Sequence, residues 1–203
     1  MSKYGDLYEN RVTGERAVVL RGTEDGDGAP ALVQLTVRPG GAVAGEHVHP
    51  SMTETFTAIG GELATRIDGA EGRLSAGESA TVPPGMPHDW WNAGTEDADV
   101  LVELDPPSER FEMLIATTFG LANAGKTNAK GMPSPLQLAL IGREFQDVIR
   151  FTSPPAAVQR AVFAALGPIA RLRGHRAIYP ELLGPSGTAE PSAAARAAAG
   201  ERR

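Results

Sequence analysis

Through the first half of the chain, apolar and polar positions alternate in short runs. Residues 17–20, 31–37, 63–67, 79–82, 88–91 and 100–104 read as strands, and Gly/Asp/Pro clusters at 25–30, 38–41 and 68–72 read as the turns between them. Within 31–37, Leu32, Gln34 and Thr36 oppose Val33, Leu35 and Val37, the two-residue period of a sheet with distinct faces. Glu54, Phe56 and Ala58 form another such face, ending at the Gly60-Gly61 turn. Many short strands at regular spacing predict a sandwich or closed barrel, and a jelly roll suits them best.

The period changes after residue 105. Asp105-Pro106 offers an N-cap followed by proline at the first helical position, and Phe111, Leu114, Ile115 and Thr118 then recur at helical spacing, predicting a helix over 106–122. Ser134-Pro135 and Ser153-Pro154 repeat the signal before two further apolar-periodic runs, and Gly167-Pro168 is expected to break or kink the last of them. The chain therefore divides into a mainly β unit over 1–105, a helical extension over 106–183 and a tail over 184–203. So apolar an extension is expected to pack on the β unit, on itself or on a partner subunit. The tail, rich in Ala, Gly and Pro, reads as disordered or loosely helical.

Composition narrows the function classes. A hydrophobic content of 41% suffices for a sizeable core, and no apolar run approaches the ~20 residues needed to span a bilayer. The start, Met1 to Asp6, lacks the apolar core of a secretion signal, and there is no cysteine for disulfides or thiolate chemistry. A formal charge of −6 disfavours nucleic acid as a partner. The expectation is a cytoplasmic protein acting on a small molecule.

Three of the four histidines fall in two stretches suited to a metal. The first is Gly41-x5-His47-x-His49-x4-Glu54-x6-Gly61; the second is Gly77-x5-Pro83-x-Gly85-x2-His88-x3-Asn92. On an extended chain His47 and His49 project to one side with Val48 opposite, Glu54 and Phe56 point inward together, and His88, Trp90 and Asn92 share a face. Three neutral imidazoles and one carboxylate leave a divalent ion about one unit positive, and an octahedral ion keeps two positions free for water, dioxygen or substrate oxygens. Imidazole suits Fe, Ni, Zn and Cu and carboxylate suits Mn, so these donors alone leave the metal open. Glu46 points away from His47 on such a chain, and His175, between Arg173 and Arg176, reads as an ordinary solvated or packed residue. Phe56, Trp90 and Met86 are candidate walls of an apolar chamber, with Asn92 a further candidate contact. Arg66 is expected outward, and Arg73 is the other basic candidate among the strands. The loop 123–133, with Lys126 and Lys130, reads first as a solvated connection and second as a lid; Arg171, Arg173 and Arg176 read first as a solvated face.

Both stretches resemble, position for position, the two sequence motifs of the cupin superfamily, and the resemblance covers residues 31–104. It implies a jelly-roll β-barrel with a divalent metal near its centre, ligands at His47, His49, Glu54 and His88, and, as is common in that family, a homodimer. The expected activity resembles that of small metal-dependent cupin dioxygenases or oxygenases: an enol, diol or diketone bound through oxygen, with Glu54 both ligand and local base. The same donors also suit redox-neutral isomerisation, cyclisation, decarboxylation or lyase chemistry, and a non-catalytic binding or sensing module is the remaining class.

Overall fold

The computed structural model describes residues 1–26, 28–42 and 45–200. Asp27, in the expected turn cluster 25–30, and residues 201–203 of the tail lie outside the described residues. Twelve strands and four α-helices are described. The strands are β1 (Asp6–Asn10), β2 (Glu15–Arg21), β3 (Ala31–Val37), β4 (His47–Val48), β5 (Thr53–Gly60), β6 (Leu63–Ile67), β7 (Ala70–Leu74), β8 (Ser79–Val82), β9 (His88–Asn92), β10 (Ala98–Asp105), β11 (Arg150–Phe151) and β12 (Gly187–Thr188). The helices are α1 (Glu109–Asn123), α2 (Pro135–Glu144), α3 (Ala156–Leu172) and α4 (Ala193–Gly200). The strands form two antiparallel sheets in the orders β12-β1-β2-β3-β10-β5-β8 and β11-β4-β9-β6-β7.

Between the sheets lies the main core, and alternation along the strands fills it. Val37, Val100 and Ala98 come from one side of β3 and β10, Phe56 and Ala58 from β5, Leu63 from β6 and Trp90 from β9. Register keeps these side chains on one face: Val102 pairs with Val33 across one neighbour and with Phe56 across the other. On the opposite face of β5, Thr55 and Thr57 are also buried, and their hydroxyls meet those of Thr81 and Ser79 on β8. A second core joins Leu114 and Leu121 of α1, Ile141 of α2, Phe145, Val148 and Tyr179 to Met52, which precedes β5. The extension therefore packs both on itself and on the β unit.

Several expected boundaries move. Asp105 remains in β10, paired with Thr53, and the cap of α1 is Ser108, whose Oγ accepts from the Phe111 amide at 3.2 Å. Ser134 does cap α2, accepting from the Gln137 amide at 3.3 Å with proline at the first helical position. Ser153-Pro154 does not open a helix; α3 begins at Ala156 and runs through Pro168 without a break. Proline removes only one amide donor, and the rest of α3 holds its continuity. The cluster expected at 68–72 contains a tight turn at Asp68-Gly69, both with positive φ, after which β7 starts at once. The tail carries partners: β12 pairs with β1, the Ser192 amide donates to Gln34 at 2.8 Å, and Ala195 of α4 is fully buried. Gln34 and Leu32, on the outer face of β3, are buried.

Candidate metal centre

The centre lies where β4 and β9 of the smaller sheet face β5 of the larger. His47 and His88 are direct partners across β4 and β9, and Glu54 pairs with Leu104 on one side and Val82 on the other. His49 leaves β4 one residue after Val48, so the alternation that aims His47 inward aims it inward too. The four expected ligands do converge: one donor atom from each of His47, His49, Glu54 and His88 lies within 4.8 Å of the others. Their exposures are 5, 2, 6 and 1%, too low for solvated surface groups.

The hydrogen bonds fix how each ring is presented. His47 Nδ1 donates to the Gly45 carbonyl at 2.7 Å, His88 Nδ1 to the Met86 carbonyl at 3.0 Å, and His49 Nδ1 to the Val148 carbonyl at 2.6 Å. A carbonyl only accepts, so each Nδ1 carries the proton and each neutral ring presents a bare Nε2. Those three Nε2 atoms point at one another and at the carboxylate: His47 to His49 is 3.3 Å, His49 to Glu54 Oε2 is 3.0 Å, and His88 to Glu54 Oε2 is 2.9 Å. Acceptors facing acceptors repel unless a positive charge lies among them. A divalent ion supplies that charge with no proton needed, and nitrogen and oxygen donors with their second ring nitrogens held by carbonyls are what a metal-binding histidine site requires.

Protonation in the metal-free chain reflects the same crowding. Burial lowers the His47 pKa to about 4 from 6.5, outweighing the opposing pull of Glu54. For Glu54, burial alone would raise the pKa, but hydrogen bonds from His49 and His88 hold it down to about 2. His88 is also opposed by burial, yet the Glu54 hydrogen bond and the Met86 carbonyl leave its pKa raised. One carboxylate at the centre is thus firmly ionised, and of His47 and His88 it is His88 that holds a proton more readily.

The residues expected around the metal divide. Phe56 is fully buried and Trp90 nearly so, their rings 5.6 Å apart, and Phe56 lies 5.9 Å from the His88 ring. Met86 is partly buried against the same core. Asn92 is not available as a contact for substrate: both its amide donations go to backbone, to Val37 and Glu96 carbonyls at 2.8 Å each, and its oxygen accepts from the Gly94 amide. It clamps the end of β9. Glu46 takes the Thr152 hydroxyl, and His175 Nδ1 pairs with Gln137 at 3.0 Å, away from the cluster. Arg66 faces outward over the Trp91 ring beside Asp89, and Arg73 pairs with Glu62. Lys126 sits 4.8 Å over the Tyr179 ring, and Arg176 caps the same ring. Three groups at the centre carry no signal in the sequence: the Val148 carbonyl, Phe111 at 5.5 Å from the His49 ring, and Phe151 at 6.5 Å from His47. All belong to the helical extension.

Comparison with known proteins matches these observations. The cupin domain model matches residues 33–103. TcmJ, a tetracenomycin polyketide synthase protein of Streptomyces glaucescens, is 30% identical over 104 residues, 51% of this chain and 69% of TcmJ. Similar solved structures include KdgF from Halomonas sp., at 13% identity and TM-score 0.45 over 55% of this chain and 99% of KdgF. Another is a predicted oxalate decarboxylase from Thermotoga maritima, at 20% identity and TM-score 0.44 over 51% of this chain and 92% of that one. With the family model spanning all four converging side chains and a relative matched over more than two thirds of its length, the chain belongs to the cupin superfamily.

Proposed function

We propose that the protein is a metal-dependent enzyme in which the two sheets roll into a jelly-roll barrel and His47, His49, Glu54 and His88 hold one divalent ion. Fe2+ is favoured, with Mn2+, Ni2+ and Zn2+ also fitting the donors. The reaction is of dioxygenase or oxygenase type on a small, largely apolar organic molecule carrying an oxygen donor. The observation that supports this is the set of three Nε2 atoms and one carboxylate aimed at a common point while carbonyls hold every Nδ1.

Bound there, the ion supplies Lewis acidity and, if redox-active, an electron-transfer centre with open positions for oxygen ligands. The chain supplies the rest. Glu54 contributes the one negative charge, and its depressed pKa suits the ligand role better than that of proton acceptor, which it fills only once its bonds to the rings are broken. Phe56, Phe111 and Phe151 surround the imidazoles with apolar surface, which excludes water and favours an apolar substrate.

Redox-neutral chemistry on the same donors is the second reading, as an isomerase, cyclase, decarboxylase or lyase. TcmJ, described as a polyketide synthase protein, supports it, since a polyketide carries the enolisable oxygens that such a centre would bind. A ligand-binding module without catalysis is the third. We take the protein to be cytoplasmic and a homodimer; among the described residues no helix is long and apolar enough to cross a membrane, and Val158, Val162, Ile169 and Leu172 leave an exposed apolar seam on α3. Metal analysis of protein purified without chelator, followed by O2 uptake with catechol, flavonol and diketone ligands, tests the activity. Iron with O2 consumption is the expected result; zinc or nickel with no uptake overturns the oxygenase in favour of redox-neutral chemistry.

A further inference from the structure

The third ring-orienting carbonyl comes from an unusual place. Gly45 and Met86 lie two residues before the histidines they hold, so those two bonds are built into the local chain. Val148 lies 99 residues beyond His49, outside the stretch matched by the cupin domain model. Three further contacts bring this segment onto the site. β11 pairs antiparallel with β4, Arg150 opposite Val48 and Phe151 opposite His47. The Thr152 amide and hydroxyl both reach Glu46. Phe151 sets its ring edge against His47.

One end of the segment is rooted and the other is loosely held. Phe145 and Val148 are buried in the helical core, and Arg110 of α1 pins the root by pairing with Glu144 and Asp147. From Arg150 to Thr152 the segment buries no side chain, Phe151 being 39% exposed, and it is held by the two-residue ladder, the two Thr152 bonds to Glu46 and the Gln159 amide on the Phe151 carbonyl. Segments that bury no side chain are the first to open. The ligands themselves are at most 6% exposed, and two surface clefts, of about 390 and 340 Å3, are lined by none of them.

We propose that residues 150–152 are a strap that closes the metal centre, and that the Val148 carbonyl, at its rooted end, is a positioning group which holds His49 in its ligating orientation. This rests on the metal-centre reading above. Lifting the strap takes Phe151 off the His47 ring and opens the route to the ion, while the rooted Val148 carbonyl keeps the His49 ring in place, so ligand entry and metal retention are coupled through the cover over His47.

The chain has no cysteine, which makes the test clean. Val48 and Arg150 are direct antiparallel partners, at a separation a disulfide can span. In the double variant Val48→Cys, Arg150→Cys loaded with Zn2+, oxidation locks the strap and reduction frees it. Release of Zn2+ to excess EDTA is expected to slow at least tenfold on oxidation and to recover on reduction. Separately, Phe151→Gly is expected to speed release severalfold with the metal-free melting temperature unchanged, which a purely structural role would not produce. Zinc bound with equal release rates in the oxidised and reduced forms overturns the strap alone; failure of both forms and of the parent protein to take up Zn2+ overturns the metal centre and the strap with it.

Discussion

Replacing His47 by glutamine should flatten the acid limb of the metal-free protein's stability curve. In the folded chain burial lowers the His47 pKa to about 4, against 6.5 when exposed. The unfolded chain therefore takes the proton first as pH falls, so stability from neutral His47 is fully present above pH 6.5 and is lost between 6.5 and 4. The shift of 6.5 − 4 = 2.5 units corresponds to about 3 kcal/mol, at 1.36 kcal/mol per unit. His88, with its raised pKa, works on the other side: its contribution is present below 6.5 and lost as pH rises through the folded value, so it is constant in this window. For a chain of this size 3 kcal/mol is roughly 6–12 °C in Tm. The assay is denaturant unfolding of chelator-treated parent and His47→Gln proteins from pH 7 to 4, reading the difference between them so that other titrating groups cancel. Parallel curves across that window would refute the buried, neutral imidazole.

Phe56→Ala should lower stability by about 3–5 kcal/mol, because the ring is fully enclosed in the main core, while metal uptake survives; a loss under ~1 kcal/mol in a thermal melt would place the ring in an open chamber instead. Asn92→Ala should cost about 1–3 kcal/mol, chiefly by stranding the buried Val37 carbonyl, with metal stoichiometry unchanged, and an unaltered melting curve would return Asn92 to the substrate contacts. His49→Ala should abolish metal retention and activity together, whereas His175→Ala should leave both within error, as elemental analysis and turnover can check; loss of metal from the second would mean the ligand set is wrong.

The metal ligands were legible in the sequence because strand alternation is a strict two-residue rule: once His47 and His49 share a face and Glu54 begins the next inward run, convergence follows from the fold. The helical extension was legible as helices but not as part of the site. A backbone carbonyl such as that of Val148 has no residue signature, and β11 is two residues long, too short for any periodicity. β7 was hidden differently: Ala70 to Arg73 are all exposed, so the strand shows no alternation of apolar and polar residues. Asn92 sat on the correct inward face, but its role was set by the Val37 and Glu96 carbonyls that come within reach only after folding. Pro168 shows the limit of local rules, since it removes one amide donor and the other bonds of α3 carry the helix past a residue that ends most helices.

The most direct measurement is a calorimetric titration of chelator-treated protein with a divalent transition ion, run beside His49→Ala and His88→Ala. One ion per chain, bound by the parent and lost in both variants, is the expected result. A parent that takes up no ion, or variants that bind as the parent does, would contradict the convergence of His47, His49, Glu54 and His88 on a single metal.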